Sequence, residues 1–286
     1  MNLNITGTTR LLGLLGRPVS HSKSPQIHNL SFERLGLDYV YLNFDIAPAE
    51  LENAVNAMRV LNVLGFNVTM PHKKNVMKYL DEITDEARLI DAVNTVANAG
   101  GRLVGYNTDG RGFVKVLSDN GVKYENEKIT LCGAGGAGRS VAVALAFSGV
   151  SELSVFDIDK ESAENLADTL NNNTKTKARA FLCEENELVS HIKDSSVFIH
   201  ATGLGMHPHL GKSVLGASAA KSAFRESLTV ADLIYDPSPT ELLRLAAENG
   251  AKTADGREML YNQGAYAFKI WTGLDMPLDY VKKNIR

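Results

Sequence analysis

Residues 65 to 73 read GFNVTMPHK, and residues 107 to 110 read NTDG. They set a lysine, Lys73, and an aspartate, Asp109, at the ends of two short apolar runs. An amine and a carboxylate can form a proton-transfer pair, the amine taking or giving the proton and the carboxylate orienting it. The apparent strand from Val63 to Thr69 is cut off by Pro71, which has no N–H for a ladder. His72 to Leu80 then reads as a short helix, with Lys73 and Lys74 in its first turn. A helix N-terminus carries partial positive charge, so a lysine there is either solvated or required by function.

A second pattern, Gly133-Ala134-Gly135-Gly136-Ala137-Gly138, fits G-x-G-x-x-G. It follows a predicted strand, Ile129 to Cys132, and opens a predicted helix, Gly136 to Phe147. Such glycines allow a tight turn and close approach of a pyrophosphate to the free N–H groups of the helix N-terminus. A bare strand–helix turn would need them for packing alone. Asp157 adds to the signal, because it lies 19 residues past Gly138, at the end of the next predicted strand. An acid at that spacing accepts hydrogen bonds from ribose hydroxyls. Asp157 and Asp159 would repel a 2′-phosphate, and residues 157 to 159 hold no arginine to pair with it. NAD is therefore expected over NADP, with Arg139 and Lys160 near enough in sequence to leave NADP open.

Ser20-His21-Ser22-Lys23-Ser24-Pro25 follows the first predicted strand. Ser24 reads as an N-cap, with Pro25 at the first helical position. The hydroxyls of Ser22 and Ser24 at a helix N-terminus can also hold a carboxylate. His72 reads as a local structural group, His200 as a satisfied core histidine and Trp271 as a packing residue. His207 and His209 have no cysteine or acid at ligand spacing, so no metal is expected.

These groups need elements to hold them. The chain of 286 residues suffices for one large domain or two ordinary ones. Its net charge of −3 leaves no electrostatic footprint for nucleic acid, and no apolar run reaches a membrane span. The opening MNLNITGTTR has no signal-peptide pattern, and Cys132 and Cys183 read as free core thiols, so the cytoplasm is the expected compartment. Predicted strands at Leu11–Leu15 and Tyr39–Phe44 alternate with helices at Pro25–Leu35 and Glu50–Val60. Val93–Val96 and Leu103–Tyr106 flank a hairpin turn at Ala99-Gly100-Gly101. This first part is an α/β unit with a mixed sheet. From Lys128 the order strand, glycine loop, helix, strand begins. It continues through Ser196–His200, Thr229–Tyr235 and a helix from Thr240 to Asn249, implying a parallel sheet. A last helix, Gly256 to Trp271, has no strand after it.

Taken together the sequence resembles the shikimate dehydrogenase family, including its quinate/shikimate branch. The resemblance rests on GRPVSHSKSPQIHN (16 to 29), GFNVTMPHKK (65 to 74), DAVNTV (91 to 96), GYNTDGRG (105 to 112), GAGGAG (133 to 138), DLIYDPSPTELL (232 to 243) and DGREMLYNQGAYAFKIWTG (255 to 273). It implies an α/β protein of two domains with the active site in the cleft. Residues 1–108, completed by C-terminal helices in 257–286, would form the substrate domain. Residues 109–256 would form a Rossmann-type, doubly wound dinucleotide-binding domain. Carried over by position, Ser22 and Ser24 would hold the substrate carboxylate, with Tyr41 a further contact. Thr69, Asn94 and Gln263 would bind ring hydroxyls, and Lys73 and Asp109 would be the catalytic pair. Residues 133–138 and Asp157 would hold the dinucleotide, with Tyr235 and Gly256 lining its nicotinamide side.

The resemblance further implies reversible reduction of 3-dehydroshikimate to shikimate in aromatic amino acid biosynthesis. Quinate is the alternative substrate, and a non-catalytic dinucleotide-binding sensor the alternative class. A homodimer is left open. The departure from the family is Asp157-Ile158-Asp159, where NADP-using members usually show Asn-Arg-Thr-like residues.

Overall fold

A computed structural model describes residues 5–285 of the chain. The amino-terminal stretch read above for a leader lies partly outside these residues. The chain divides into two compact units: one ends at Thr108 and resumes at Gln263, and the other is Asp109–Asn262.

The first unit carries β1 (Arg10–Gly16), β2 (Tyr39–Asp45), β3 (Gly65–Val68), β4 (Glu82–Ile83), β5 (Thr95–Ala99) and β6 (Arg102–Tyr106). They form one sheet in the order β2-β1-β3-β5-β6-β4. β1 pairs in parallel with β2 and β3, whereas β5 runs antiparallel to β3 and β6, so the sheet is mixed. The run LLGLLG in β1 lacks polar alternation because both faces of the strand are covered, and Leu12 and Leu15 are fully buried. Between β1 and β2 the helix Ser24–Leu35 buries every residue from Ile27 to Phe32 and ends on Gly36 in the left-handed region. Leu15, Val55, Phe66, Val76, Val96 and Leu103 make a core from both ends of the segment. Trp271 does more than pack: its indole N–H donates to the carbonyl of Val96 at 2.9 Å.

The second unit carries β7 (Lys128–Cys132), β8 (Glu152–Asp157), β9 (Lys177–Leu182), β10 (Val197–His200), β11 (Thr229–Asp232) and β12 (Lys252–Ala254). All pairings are parallel, in the order β12-β11-β10-β7-β8-β9. This is the doubly wound dinucleotide-binding order, which reverses between β7 and β10; sheets of this order bind ligands outside the carboxyl ends of the strands at that point. The helix Gly136–Phe147 buries every residue from Val141 to Ala146, which explains its almost unbroken apolar sequence.

Two predicted elements differ from the structure. The helix expected over His72–Leu80 is a five-residue 3-10 helix, Asn75–Tyr79, and Lys73 sits in the turn before it. The turn keeps one bond of α-helical span, from Val76 N–H to the His72 carbonyl at 2.9 Å, but two of its other groups bond outside the segment. The His72 ring is buried against the carbonyl of Ile46 at 2.8 Å, and the Lys73 carbonyl accepts from Val93 N–H at 2.8 Å. The strand expected over Thr229–Tyr235 stops at Asp232. The Asp232 carboxylate accepts from Ile234 N–H at 3.0 Å, and this local bond turns the chain out of the sheet.

Candidate functional site

In the first unit the predicted substrate residues gather at the carboxyl ends of β1, β3 and the approach to β5. Ser24 is the first residue of its helix rather than the cap. The N-cap position falls to Lys23, which makes no side-chain capping bond; Ser22 Oγ accepts from Ser24 N–H at 3.2 Å across the turn before the helix. Both serine hydroxyls are half-buried at the helix start. Tyr41 is fully buried on β2; its hydroxyl donates to Asn67 Oδ1 at 2.7 Å and is also hydrogen-bonded to Ser24. Burial holds the Tyr41 hydroxyl well above the ordinary tyrosine pKa, so it stays a donor.

Asn67 continues the chain of bonds. Its amide donates to the Asn94 carbonyl at 3.1 Å and to Thr95 Oγ1 at 3.0 Å. Asn94 in turn donates from Nδ2 to Thr108 Oγ1 at 3.0 Å, and its Oδ1 accepts from Thr108 N–H at 2.9 Å. A polar network thus runs inside the unit from Ser24 through Tyr41, Asn67 and Asn94 to Thr108, the residue before Asp109. Asn67, Thr95 and Thr108 did not figure among the sequence candidates. The available signal was Asn67 itself, a polar side chain in the middle of an otherwise apolar strand, which burial obliges to find partners.

Thr69 and Lys73 reach the same neighbourhood through the backbone. Val68, beside Thr69, donates to the Asn94 carbonyl at 2.8 Å, and Val93, beside Asn94, donates to the Lys73 carbonyl. Lys73 is half-buried, whereas its neighbour Lys74 is exposed and paired with Asp91 at 2.5 Å. The two adjacent lysines therefore have different surroundings. Gln263 is half-buried on the helix Gly256–Thr272.

In the second unit Asp109 opens the helix Asp109–Asp119 and is half-buried. The glycine loop follows β7. Gly133 has φ of 111°, a conformation side chains rarely adopt, and a Cβ on Gly138 would lie 1.8 Å from the Gly133 carbonyl oxygen. Those two glycines close the turn. Gly135 and Gly136 have no such internal reason: a Cβ on either would meet nothing within 4 Å, and with Ala137 they are exposed. Open space beside a helix N-terminus is what an incoming pyrophosphate needs. Ala134 is buried, and its N–H donates to Asp157 Oδ2 at 2.6 Å. Asp157 Oδ1 accepts from Asp159 N–H at 2.9 Å, so the carboxylate is held in one orientation against the loop. The glycine cradle and this fixed acid fit a dinucleotide.

Arg139 donates to Asn165 Oδ1 at 3.0 Å and Thr169 Oγ1 at 2.9 Å. Tyr235 is 53% exposed, and Gly256 begins its helix with its N–H on the Ile234 carbonyl at 3.3 Å. His200 is buried and satisfied on both ring nitrogens, by Asp232 Oδ1 at 3.1 Å and Thr202 Oγ1 at 2.6 Å. Among the described residues no group of three or more His, Cys, Asp or Glu is disposed to hold a metal ion. Among them, too, no helix is long and apolar enough to cross a membrane.

Residues 14–96 match the family model for the shikimate dehydrogenase substrate binding domain, and residues 256–286 match that for the shikimate 5'-dehydrogenase C-terminal domain. A curated relative, shikimate dehydrogenase (NADP(+)) of Alkaliphilus metalliredigens, is 48% identical over 100% of this chain and 99% of its own length.

The chain belongs to the shikimate dehydrogenase family.

Solved structures agree with this in fold. Shikimate 5-dehydrogenase of Listeria monocytogenes, in complex with shikimate and NAD, superposes with a TM-score of 0.94 at 41% identity, covering 99% of this chain and 98% of that one. Quinate dehydrogenase of Corynebacterium glutamicum in complex with NAD gives a TM-score of 0.85 at 31% identity, covering 96% and 98%. The family's two-part α/β architecture, a mixed sheet and a doubly wound parallel sheet, is the one found in this chain.

Proposed function

We propose that this chain is a shikimate dehydrogenase, interconverting 3-dehydroshikimate and shikimate with a nicotinamide dinucleotide. The supporting observation is the coexistence of two sets of residues. One is the network from Ser24 to Thr108, with Lys73 bonded beside it; the other is the glycine loop with its fixed Asp157. A dinucleotide-binding sensor would need only the second.

The dinucleotide supplies the hydride chemistry when bound, and the protein handles binding, orientation and the proton. Gly135, Gly136 and Ala137 would receive the pyrophosphate, and Asp157 the ribose hydroxyls. Ser22 and Ser24 hold the substrate carboxylate, with Tyr41 supporting Ser24 from behind rather than reaching the ligand. Thr69, Asn94 and Gln263 bind ring hydroxyls. The Lys73 amine takes the proton of the hydroxyl being oxidised and returns it in reduction, with Asp109 orienting the reacting group.

For the choice of dinucleotide, the chain's residues and the names of its relatives pull apart. The curated relatives are named for NADP(+). Here Asp157 is turned onto the loop and Arg139 is bonded to Asn165 and Thr169, an arrangement that suits a ribose hydroxyl better than a phosphate. Our reading gives NAD the higher kcat/KM, with NADP also used. A steady-state assay of reduced-nicotinamide absorbance, crossing shikimate or quinate with NAD or NADP, tests substrate and cofactor together. Turnover of shikimate is expected to exceed that of quinate, and absence of turnover in every combination would refute the proposal. The reaction suits a cytoplasmic enzyme of aromatic amino acid biosynthesis.

A further inference from the structure

The two cysteines of the chain lie in separate sequence segments, yet their sulfurs meet. Cys132 Sγ and Cys183 Sγ are 3.6 Å apart. Cys132 is the last residue of β7 and Cys183 the first after β9, so two strands that flank β8 converge over its end. Register explains the meeting. Cys132 is opposite Phe156 on β8, Phe156 is opposite Phe181 on β9, and Cys183 follows Phe181 by two residues. With side chains alternating along a strand, all four project from the same face of the sheet. Phe156 and Phe181 stack with centroids 5.0 Å apart, and the two thiols sit at the end of that stack.

Both cysteines are tied by the backbone to the dinucleotide loop. Cys132 immediately precedes Gly133, whose N–H donates to the Phe156 carbonyl at 2.7 Å. The N–H of Cys183 donates to the carbonyl of Asp157 at 2.8 Å. A displacement of either sulfur is thus transmitted to the start of the glycine loop or to the acid that faces it.

We propose that Cys132 and Cys183 form a reversible intramolecular disulfide that weakens dinucleotide binding, making the second unit sensitive to oxidation. Cys183 is half-buried and accessible, whereas Cys132 is buried. Cys183 is the thiol that ionises first, because it accepts the hydrogen bond from Cys132; burial and nearby Asp157 oppose this without reversing it. Donating that bond and burial both push the Cys132 thiol up. The accessible thiolate is the attacking group in thiol–disulfide exchange. Taking a low-molecular-weight disulfide as oxidant, Cys183 attacks one of its sulfurs and expels the first thiol, which carries off the Cys183 proton. Cys132 then attacks the Cys183 sulfur, its proton leaving with the second thiol. Two S–H bonds and the oxidant's S–S bond are broken; the protein's S–S bond and two small thiols are formed. The sulfurs must close from 3.6 Å to a bonded distance of about 2 Å. That movement of roughly 1.5 Å draws on the ends of β7 and β9, and so on Gly133 and Asp157.

The consequence for binding rests on the dinucleotide reading above; the bond itself does not. The test equilibrates the full chain in glutathione–glutathione disulfide mixtures, traps free thiols, and searches by mass spectrometry for the peptide pair joined through Cys132 and Cys183. NADH and NADPH affinities are then measured by fluorescence titration before and after dithiothreitol. The expected result is the linked pair, loss of both titratable thiols, and affinity weaker by roughly tenfold, about the change from losing one hydrogen bond to a charged group. Dithiothreitol should restore binding, and Cys183→Ser should bind like the reduced chain and ignore the disulfide. Glutathione retained on Cys183 with no internal link would overturn the proposal, as would a linked chain of unchanged affinity. If the reduced chain bound neither dinucleotide, the functional reading would fall and take the consequence with it, while the linked peptide would still decide the bond.

Discussion

The hydroxyl of Tyr41 donates to Asn67 Oδ1 at 2.7 Å, and both groups are buried. Tyr41→Phe keeps the ring, which stacks on His28 at 4.5 Å, and removes only the hydroxyl with its bonds to Asn67 and Ser24. It leaves a buried amide oxygen short of a partner, at a cost of about 1–3 kcal/mol. Urea denaturation should show that loss. The KM for shikimate should also rise, because Ser24 loses the group behind it.

Asp157 should control the choice of dinucleotide through its fixed carboxylate. Asp157→Asn removes the charge that repels a 2′-phosphate while keeping the side chain's size. The ratio of kcat/KM for NAD over NADP should fall, by roughly tenfold if one charge-assisted hydrogen bond and one repulsion are lost. A ratio unmoved by the substitution would remove Asp157 from cofactor choice.

Ser22→Ala should act mainly on KM. The carboxylate it would hold is remote from the reacting carbon, so its binding is equal in ground and transition states. A fall in kcat with KM unchanged would place Ser22 in the chemistry instead.

His28 makes folding sensitive to acid. It is buried among Tyr41, Phe268 and Trp271, and desolvation lowers its pKa from 6.5 to about 3. Between these two values the unfolded chain binds a proton that the folded chain does not, so stability falls as pH drops through that window. From pH 7.5 to pH 5.5 the loss from this one residue is about 1.4 kcal/mol. Urea midpoints at the two pH values measure it, and His28→Phe should be less sensitive to acid by that amount.

The second unit was the more legible part of the sequence. Its inner strands β7, β8, β10 and β11 are short apolar runs, and its loop signature needs only glycines and one acid at the right spacing. The edge strands β9 (KARAFL) and β12 (KTA) bury too little to leave an apolar pattern and are missing from the predicted elements. The helix Gly136–Phe147 has the predicted ends. In the first unit the periodic pattern gave every strand except the two-residue β4, together with the hairpin, but misjudged the segment carrying Lys73. There a histidine turned inward to Ile46 and a carbonyl taken by Val93 outweigh the local preference for an α-helix. Both partners are distant in sequence, so no local pattern could announce them. The same holds for the network through Asn67: its bonds reach Tyr41, Asn94 and Thr95, all distant in sequence, and the sequence shows only a polar residue among apolar ones. The helix expected to be capped by Ser24 begins at that residue, with Lys23 at the cap, a one-residue margin that local patterns do not resolve.

The central claim is that the Lys73 amine carries the proton in shikimate oxidation, and its most direct test is the kcat of Lys73→Ala with shikimate and saturating dinucleotide. The expected fall is about two to four orders of magnitude, the range for removing a general acid–base group, with only a modest change in KM. A variant that kept near wild-type kcat would contradict the assignment.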